Sequence, residues 1–214
     1  MANDIIFGST SLADLKFGAL GVSKVMLGSS EVWNNSWTDF DDDCSSLTGW
    51  TETTTGSSEI NQETGYFEIK GCYGYGEVAQ TLAQTIPSKY WLEVNCAHPY
   101  TSIYSSSANW FYVFNGTYEL GAYICKAGIY IQKGSTTSTH ITSTNYQDST
   151  YRDFQFHVNG DGTVDCYVND SLIQADVDMY ANTATPKRIA FRSGGWGISQ
   201  LDINNILLQT DSPI

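Results

Sequence analysis

Two kinds of side chain in this sequence have the types and spacing to do chemistry: aromatics in glycine-rich stretches beside polar groups, and carboxylates two positions apart. Trp196, inside RSGGWG, sits among three glycines that leave it no obvious strand neighbours, and Arg192 lies just before it. Tyr73 and Tyr75 in GCYGYGE, and Tyr100 and Tyr104 in HPYTSIYSSS, are comparable loop aromatics. A sugar ring stacks its apolar C–H face on Trp or Tyr, while its hydroxyls need a few fixed polar partners, so these residues together suit a glycan. The competing reading of each ring is a buried lid plugging the end of a β-sandwich.

The carboxylates argue less for chemistry. A retaining glycoside hydrolase holds two carboxyl groups about 5 Å apart, and residues two apart on a strand share a face. The nearest match is Glu59-Ile60-Asn61-Gln62-Glu63. Asn61 at its middle cannot share a proton, and the run ends at the Thr64-Gly65 turn, so an exposed strand end is the ordinary reading. No nucleophile elbow, phosphate loop or HExxH occurs. His98, His140 and His157 are far apart and are expected in turns or on outward strand positions, facing solvent. Asp39, Asp41, Asp42 and Asp43 offer the oxygen ligands that calcium takes, but their spacing matches no EF-hand and consecutive aspartates at a turn commonly form a solvated cap. Neither a metal nor another cofactor is assigned, and no enzyme activity is expected.

The elements that must position these groups read as strands. DFQFHV sets Phe154, Phe156 and Val158 against Asp153, Gln155 and His157, the period-two pattern of a half-buried strand. NGDG then closes a hairpin onto TVDCYVND, with Val164, Cys166 and Val168 inward. RIAFRSGG and SQLDINNILL follow as two further strands, and the second changes its apolar parity at Asn204 and Asn205, which predicts a bulge. WLEVN, WFYVF and AYICKAGIYIQ supply more alternation, GSTTSTHITSTNYQDST reads as a long turn, and Trp37, Trp50, Trp91 and Trp110 are assigned to the core or its rim.

Composition agrees. The 214 residues include 14 Tyr and 6 Trp, which favours strands, and no helical periodicity exceeds two turns; the best candidate, Leu12 to Leu20, is broken by Gly18 and Gly21. A net charge of -13 with only 10 Lys and Arg argues against duplex nucleic acid or an anionic bilayer as partner. No apolar run is long enough to insert in a membrane, and MANDIIFGSTS lacks the pattern of a Sec-type signal. Cys44, Cys72, Cys96, Cys125 and Cys166 are widely spaced, with no CxxC, so buried free thiols formed in a reducing cytosol are expected, with one disulfide as the alternative.

Two resemblances sharpen this reading. Lys24-Val25-Met26-Leu27-Gly28-Ser29 followed by Glu31-Val32-Trp33 resembles the short "K-x-x-Y-L-G-S-x-x-V-W" element near the start of many phage minor structural proteins of tail, neck or fibre, with Met26 where an aromatic is common. It reads as a small hairpin within a β-rich N-terminal segment, residues 1–35, although those residues read equally as the first strands of one larger sheet. From Trp37 onward the chain resembles the concanavalin A-like lectin/glucanase superfamily, through TDFDDDCSSLTGWTETTTGSSEINQETGYFEIKG at the start and YRDFQFHV, VDCYVND, RIAFRSGG and LDINNILL at the end. The implied fold is all-β, an antiparallel jelly-roll sandwich over residues 36–214, with the last strand beside the first.

What the resemblances imply is a phage virion structural protein, assembled in the host cytoplasm, that displays a lectin-like jelly roll and adheres to host-surface carbohydrate. The expected binding residues are Trp196, Arg192, Tyr73, Tyr75, Tyr100 and Tyr104. The expected partners are cell-surface polysaccharide and, through the N-terminal segment, other virion proteins; a homo-oligomer stays open because no heptad or collagen-like repeat enforces one. The alternatives are a capsid, tail or fibre decoration subunit that binds no sugar, and a polysaccharide-degrading glycoside hydrolase.

Overall fold

The computed structural model describes residues 38–99, 107–114, 118–133, 137–179 and 187–210, together with the backbone of four short strands before residue 35. The chain divides into two compact units, Met1–Thr38 and Asp39–Ile214. In the first, β1 (Leu15–Phe17) pairs antiparallel with β2 (Leu20–Val22), so the described residues of the stretch with the best helical pattern are extended. β3 (Lys24–Leu27) and β4 (Ser30–Asn34) form the expected antiparallel pair.

Every regular element among the described residues of the second unit is a strand. In chain order it contains β5 (Phe40–Asp42), β6 (Thr51–Thr54), β7 (Glu59–Glu63), β8 (Tyr66–Thr81), β9 (Tyr90–Ala97), β10 (Ala108–Phe114), β11 (Tyr118–Cys125), β12 (Gly128–Gln132), β13 (Ser138–Thr142), β14 (Arg152–Val158), β15 (Thr163–Val168), β16 (Ser171–Asp178) and β17 (Arg188–Gln209). All pair antiparallel, in the order β13-β12-β11-β10-β17-β9-β14-β15-β16, with β5, β6, β7 and β8 joined beside this path. The final strand lies beside the first of the unit, Ile206 opposite Asp42.

Two layers face each other across the core. One is built from β13 to β10, the start of β17, the end of β8 and β6; the other from β14 to β16, β9, the end of β17, the start of β8, β7 and β5. Phe111 of the first layer meets Phe154 and Phe156 of the second at ring distances of 6.3 and 5.9 Å, and Trp50 bridges Phe191 and Phe67 at 5.9 and 5.5 Å. Phe67, Phe111, Phe154, Phe156 and Phe191 are all at most 1% exposed. Burying rings of this size supplies several kcal/mol in total, at about 25 cal/mol per Å² of apolar surface.

The hairpin of β14 and β15 has the expected four-residue loop, and its inward set Phe154, Phe156, Val158, Val164, Cys166 and Val168 is buried. The register of β17 against β9 shifts between Ile203 and Asn205, which is the bulge that the parity change predicts. Other expectations fail where glycine and polar residues mimic turns. RIAFRSGG and SQLDINNILL form one 22-residue strand, GCYGYGE lies within the 16-residue β8, and the serine- and threonine-rich turn contains β13. SLIQADVD adds β16, an edge strand with five exposed positions among its first six whose polarity disguises it.

β8 and β17 run through both layers, so their ladder must turn a corner. There the backbones touch: a Cβ on Gly71 would lie 2.3 Å from the Gly194 Cα and 2.4 Å from the Ser193 carbonyl oxygen. Only hydrogen fits at the inside of such a bend. Ser193 and Ser199, buried on either side of it, join through their hydroxyls at 2.9 Å.

His98 does not face solvent: it is fully buried, because it follows β9 directly and turns into the core. Its Nδ1 lies 2.7 Å from Asn109 Nδ2, a donor, so the imidazole accepts there and is neutral. Burial, aided by Arg152, lowers its pKa to about 3. His157 is half-buried, its ring stacked on Trp91 at 4.3 Å, and burial lowers its pKa too; His140 is exposed. All five cysteines are free, Cys72 half-buried and the other four buried, and burial pushes the Cys166 thiol up to about 12. Asp202 is raised to about 6, by burial first and by the neighbouring Glu68 carboxylate.

Two stability predictions arise from these interior groups. Gly71→Ala forces backbone apart at the corner and should cost on the order of 3 kcal/mol in denaturant unfolding; a loss under about 0.5 kcal/mol would show the corner to be loose. Asp202 binds its proton more tightly folded than unfolded, so its charge weakens the fold as pH rises from 3.8 to about 6. His98 has the opposite sign: its contribution falls as pH drops from 6.5 toward 3. Asp202→Asn should therefore be indistinguishable from wild type below pH 3.8 and more stable by on the order of 1–3 kcal/mol above about pH 6, read from urea melts across this range.

Candidate functional site

The corner that crowds glycines on its inside puts aromatics on its outside. Gly195 pairs with Gly74 and Ile198 with Cys72, so Trp196 and Gly197 stand opposite Tyr73 alone. Two residues against one make a β-bulge, which bends the strand and re-aims the side chains. Gly195 takes φ 137° and Tyr73 takes φ 48°, a left-handed conformation uncommon for a bulky residue. The result is that Trp196 is 78% exposed and Tyr73 70% exposed.

Between them lies a cleft of about 380 Å³ lined by Tyr73, Gly74, Tyr75, Trp110, Arg192, Gly195 and Trp196. Four residues named from the sequence, Trp196, Arg192, Tyr73 and Tyr75, are thus brought to one place. Tyr100 and Tyr104 lie outside the described residues. Trp110, assigned to the core or rim, forms a further wall. Its signal was parity: it alternates with the buried Phe111 on β10 and so faces outward, opposite Arg192 on β17.

Arg192 is held in place from two sides. Its Nε and Nη2 donate to Glu77 Oε2 at 2.9 and 2.5 Å, while Arg188 Nη2 donates to Glu77 Oε1 at 3.4 Å. The guanidinium lies 4.2 Å from the Tyr75 ring centroid and 5.6 Å from that of Tyr112, a cation–π arrangement. Trp110 packs on a small buried cluster of Ala79, Tyr112 and Ala190. Glu77 escaped sequence reading, although its two-residue spacing from Tyr75 puts it on the same face, directly across from Arg192.

The remaining candidates are not part of this cleft. Glu59 and Glu63 lie exposed on β7, opposite Lys70 and Tyr66, and Asn61 Nδ2 donates to Glu68 Oε1 at 2.9 Å. A closer carboxylate pair, Glu68 and Asp202 on facing positions of β8 and β17, shares the Gln200 amide at 3.0 and 2.8 Å, with Lys70 at 2.6 Å from Glu68. In the acidic cluster, Asp42 accepts from the Cys44 amide and the Trp50 indole at 2.8 and 2.9 Å, and Asp43 from the Ser45 amide at 3.0 Å. These carboxylates cap a turn. Among the described residues no three His, Cys, Asp or Glu side chains gather to hold a metal.

No family model and no curated protein matches the chain. Solved structures do. A sialidase is similar over 81% of this chain at a TM-score of 0.66 and 14% identity, and the chain spans 18% of that protein's length. The metal-free carbohydrate recognition domain of Emp46p is similar over 80% of this chain and 92% of its own, at a TM-score of 0.58 and 12% identity. The cellulose-induced protein Cip1 gives 80% and 97%, at 0.57 and 12%. At such identities the likeness speaks for fold. The second unit is an antiparallel jelly-roll β-sandwich, an architecture it shares with a carbohydrate recognition domain and with part of a sialidase.

Proposed function

We propose that this protein binds carbohydrate through the cleft at the β8–β17 corner, without catalysing its hydrolysis. The single observation that carries this reading is the meeting of Trp196, Tyr73, Tyr75 and Trp110 with Arg192 in one open cleft. Exposed rings on a bulge offer stacking faces, and an arginine held by Glu77 gives the cleft a fixed cationic wall at little further loss of entropy. The carbohydrate recognition domain among the structural neighbours supports it. Against hydrolysis, Glu59 and Glu63 line no part of the cleft, and the Glu68–Asp202 pair is engaged by Gln200 and Lys70.

The wider role we infer is that of a phage virion protein, with the N-terminal segment joining other virion proteins and the jelly roll presented to a host-surface polysaccharide. The sequence pattern from Lys24 to Trp33 supports it. Many copies on one particle would turn millimolar-to-micromolar sites, about -4 to -8 kcal/mol each, into useful adhesion. A second reading is a decoration or fibre subunit that binds no sugar; the exposed Tyr73, Trp196 and Ile198 at 70, 78 and 40% favour it as a protein contact.

A multimerised preparation should bind on a broad glycan array, and Trp196→Ala should lose at least about tenfold in affinity while its unfolding free energy stays within about 0.5 kcal/mol of wild type. Absence of binding to every glycan would overturn adhesion and favour the decoration subunit. Immuno-electron microscopy of intact particles tests the virion role separately, and unlabelled particles would remove it.

A further inference from the structure

One row of side chains leaves the cleft and crosses the outer face of the first layer from β8 to β13. Glu77, Arg192, Trp110, Tyr123 and Tyr130 face each other in successive cross-strand pairs, and His140 of β13 faces Tyr130. Trp110 and Tyr123 lie 6.2 Å apart, Tyr123 and Tyr130 4.9 Å apart with parallel planes, and Tyr130 and His140 4.8 Å apart. Trp110, Tyr123 and Tyr130 are half-buried and His140 is exposed, so the row is open to solvent. At about 4.8 Å per strand, the four steps from β17 to β13 cover on the order of 20 Å.

We propose that this row is a binding track that continues the cleft, so that the protein holds several consecutive units of a linear polysaccharide laid across the strands. The inference rests on the carbohydrate reading of the cleft and extends it to the class of ligand: an internal stretch of chain in place of a single terminal sugar. Tyr123 and Tyr130, whose planes are parallel, cover each other's faces and leave edges and hydroxyls for hydrogen bonding to sugar hydroxyls, while Trp196 and Tyr73 supply the stacking faces at one end. The Tyr123 hydroxyl is already oriented by Ser138 Oγ at 2.9 Å. In a chain of net charge -13 the row carries one carboxylate, Glu77, and Arg188 and Arg192 both donate to it. The row itself therefore sets no uncompensated carboxylate against a bound chain.

Cross-strand ring pairs also stabilise sheets on their own account, so the test must read ligand length. Calorimetric titration of the full chain with cello-oligosaccharides and with oligogalacturonides, each from monomer to hexamer, should show at least about tenfold tighter binding of hexamer than dimer in one series. Tyr130→Ala and His140→Ala should erase that gain and leave dimer binding unchanged, and Tyr130→Phe, which keeps the stack, should retain part of the gain. Equal affinity for dimer and hexamer, or a gain that survives Tyr130→Ala and His140→Ala, overturns the track while the cleft still binds sugar. No binding of either series at any length overturns the track and the carbohydrate reading together.

Discussion

The structure depends on one constraint: two long strands, β8 and β17, must leave one layer and enter the other while keeping their ladder paired. A bend that sharp compresses its inner side and opens its outer side. On the inner side Gly71 and Gly194 let backbone meet backbone where any Cβ would collide. On the outer side the bulge at Trp196 and Gly197 takes up the extra length and turns large rings into solvent. The joint that closes the sandwich and the platform of the cleft are thus the same few residues.

A second division runs across each layer. Alternation sends Phe111, Phe191 and their neighbours into the core, and the intervening residues outward, where Trp110, Arg192, Glu77, Tyr123 and Tyr130 form one row. Glu77 is 7% exposed and is joined by two arginines, so its desolvated charge is compensated. That pairing, with Tyr75 beneath the guanidinium, makes Arg192 a fixed feature of the cleft wall. Acidic side chains elsewhere serve the fold: Asp42 caps a turn and holds the Trp50 indole, and Glu68 and Asp202 share one amide.

Several of these features were legible in the chain. The β14–β15 hairpin with its NGDG loop, the bulge at Asn204, the small N-terminal hairpin and the absence of helix in the described residues each follow from local periodicity and turn chemistry. Trp196, Arg192, Tyr73 and Tyr75 are each named from the sequence as binding candidates, but nothing in the sequence says that they meet. Their glycine-rich surroundings suggested loops, whereas those glycines are strand residues at a crowded corner. His98 was misread because one residue past a strand end carries no periodic signal, and its burial depends on Asn109, which arrives from another strand to hydrogen-bond it.

What the sequence by itself determined was the kind of object: alternating strands, tight turns, apolar residues enough for a two-layered core and aromatics in excess of what that core absorbs. Those properties are local, since a side chain's inward or outward direction depends on its immediate neighbours and a turn on its own few residues. Only the tertiary structure decided which strands run unbroken through both layers, and hence that positions 73, 75, 110, 192 and 196 share a cleft and that Trp110, Tyr123, Tyr130 and His140 share a row. Register between strands far apart in the chain is fixed by how the whole core packs, and no stretch of sequence contains that information alone.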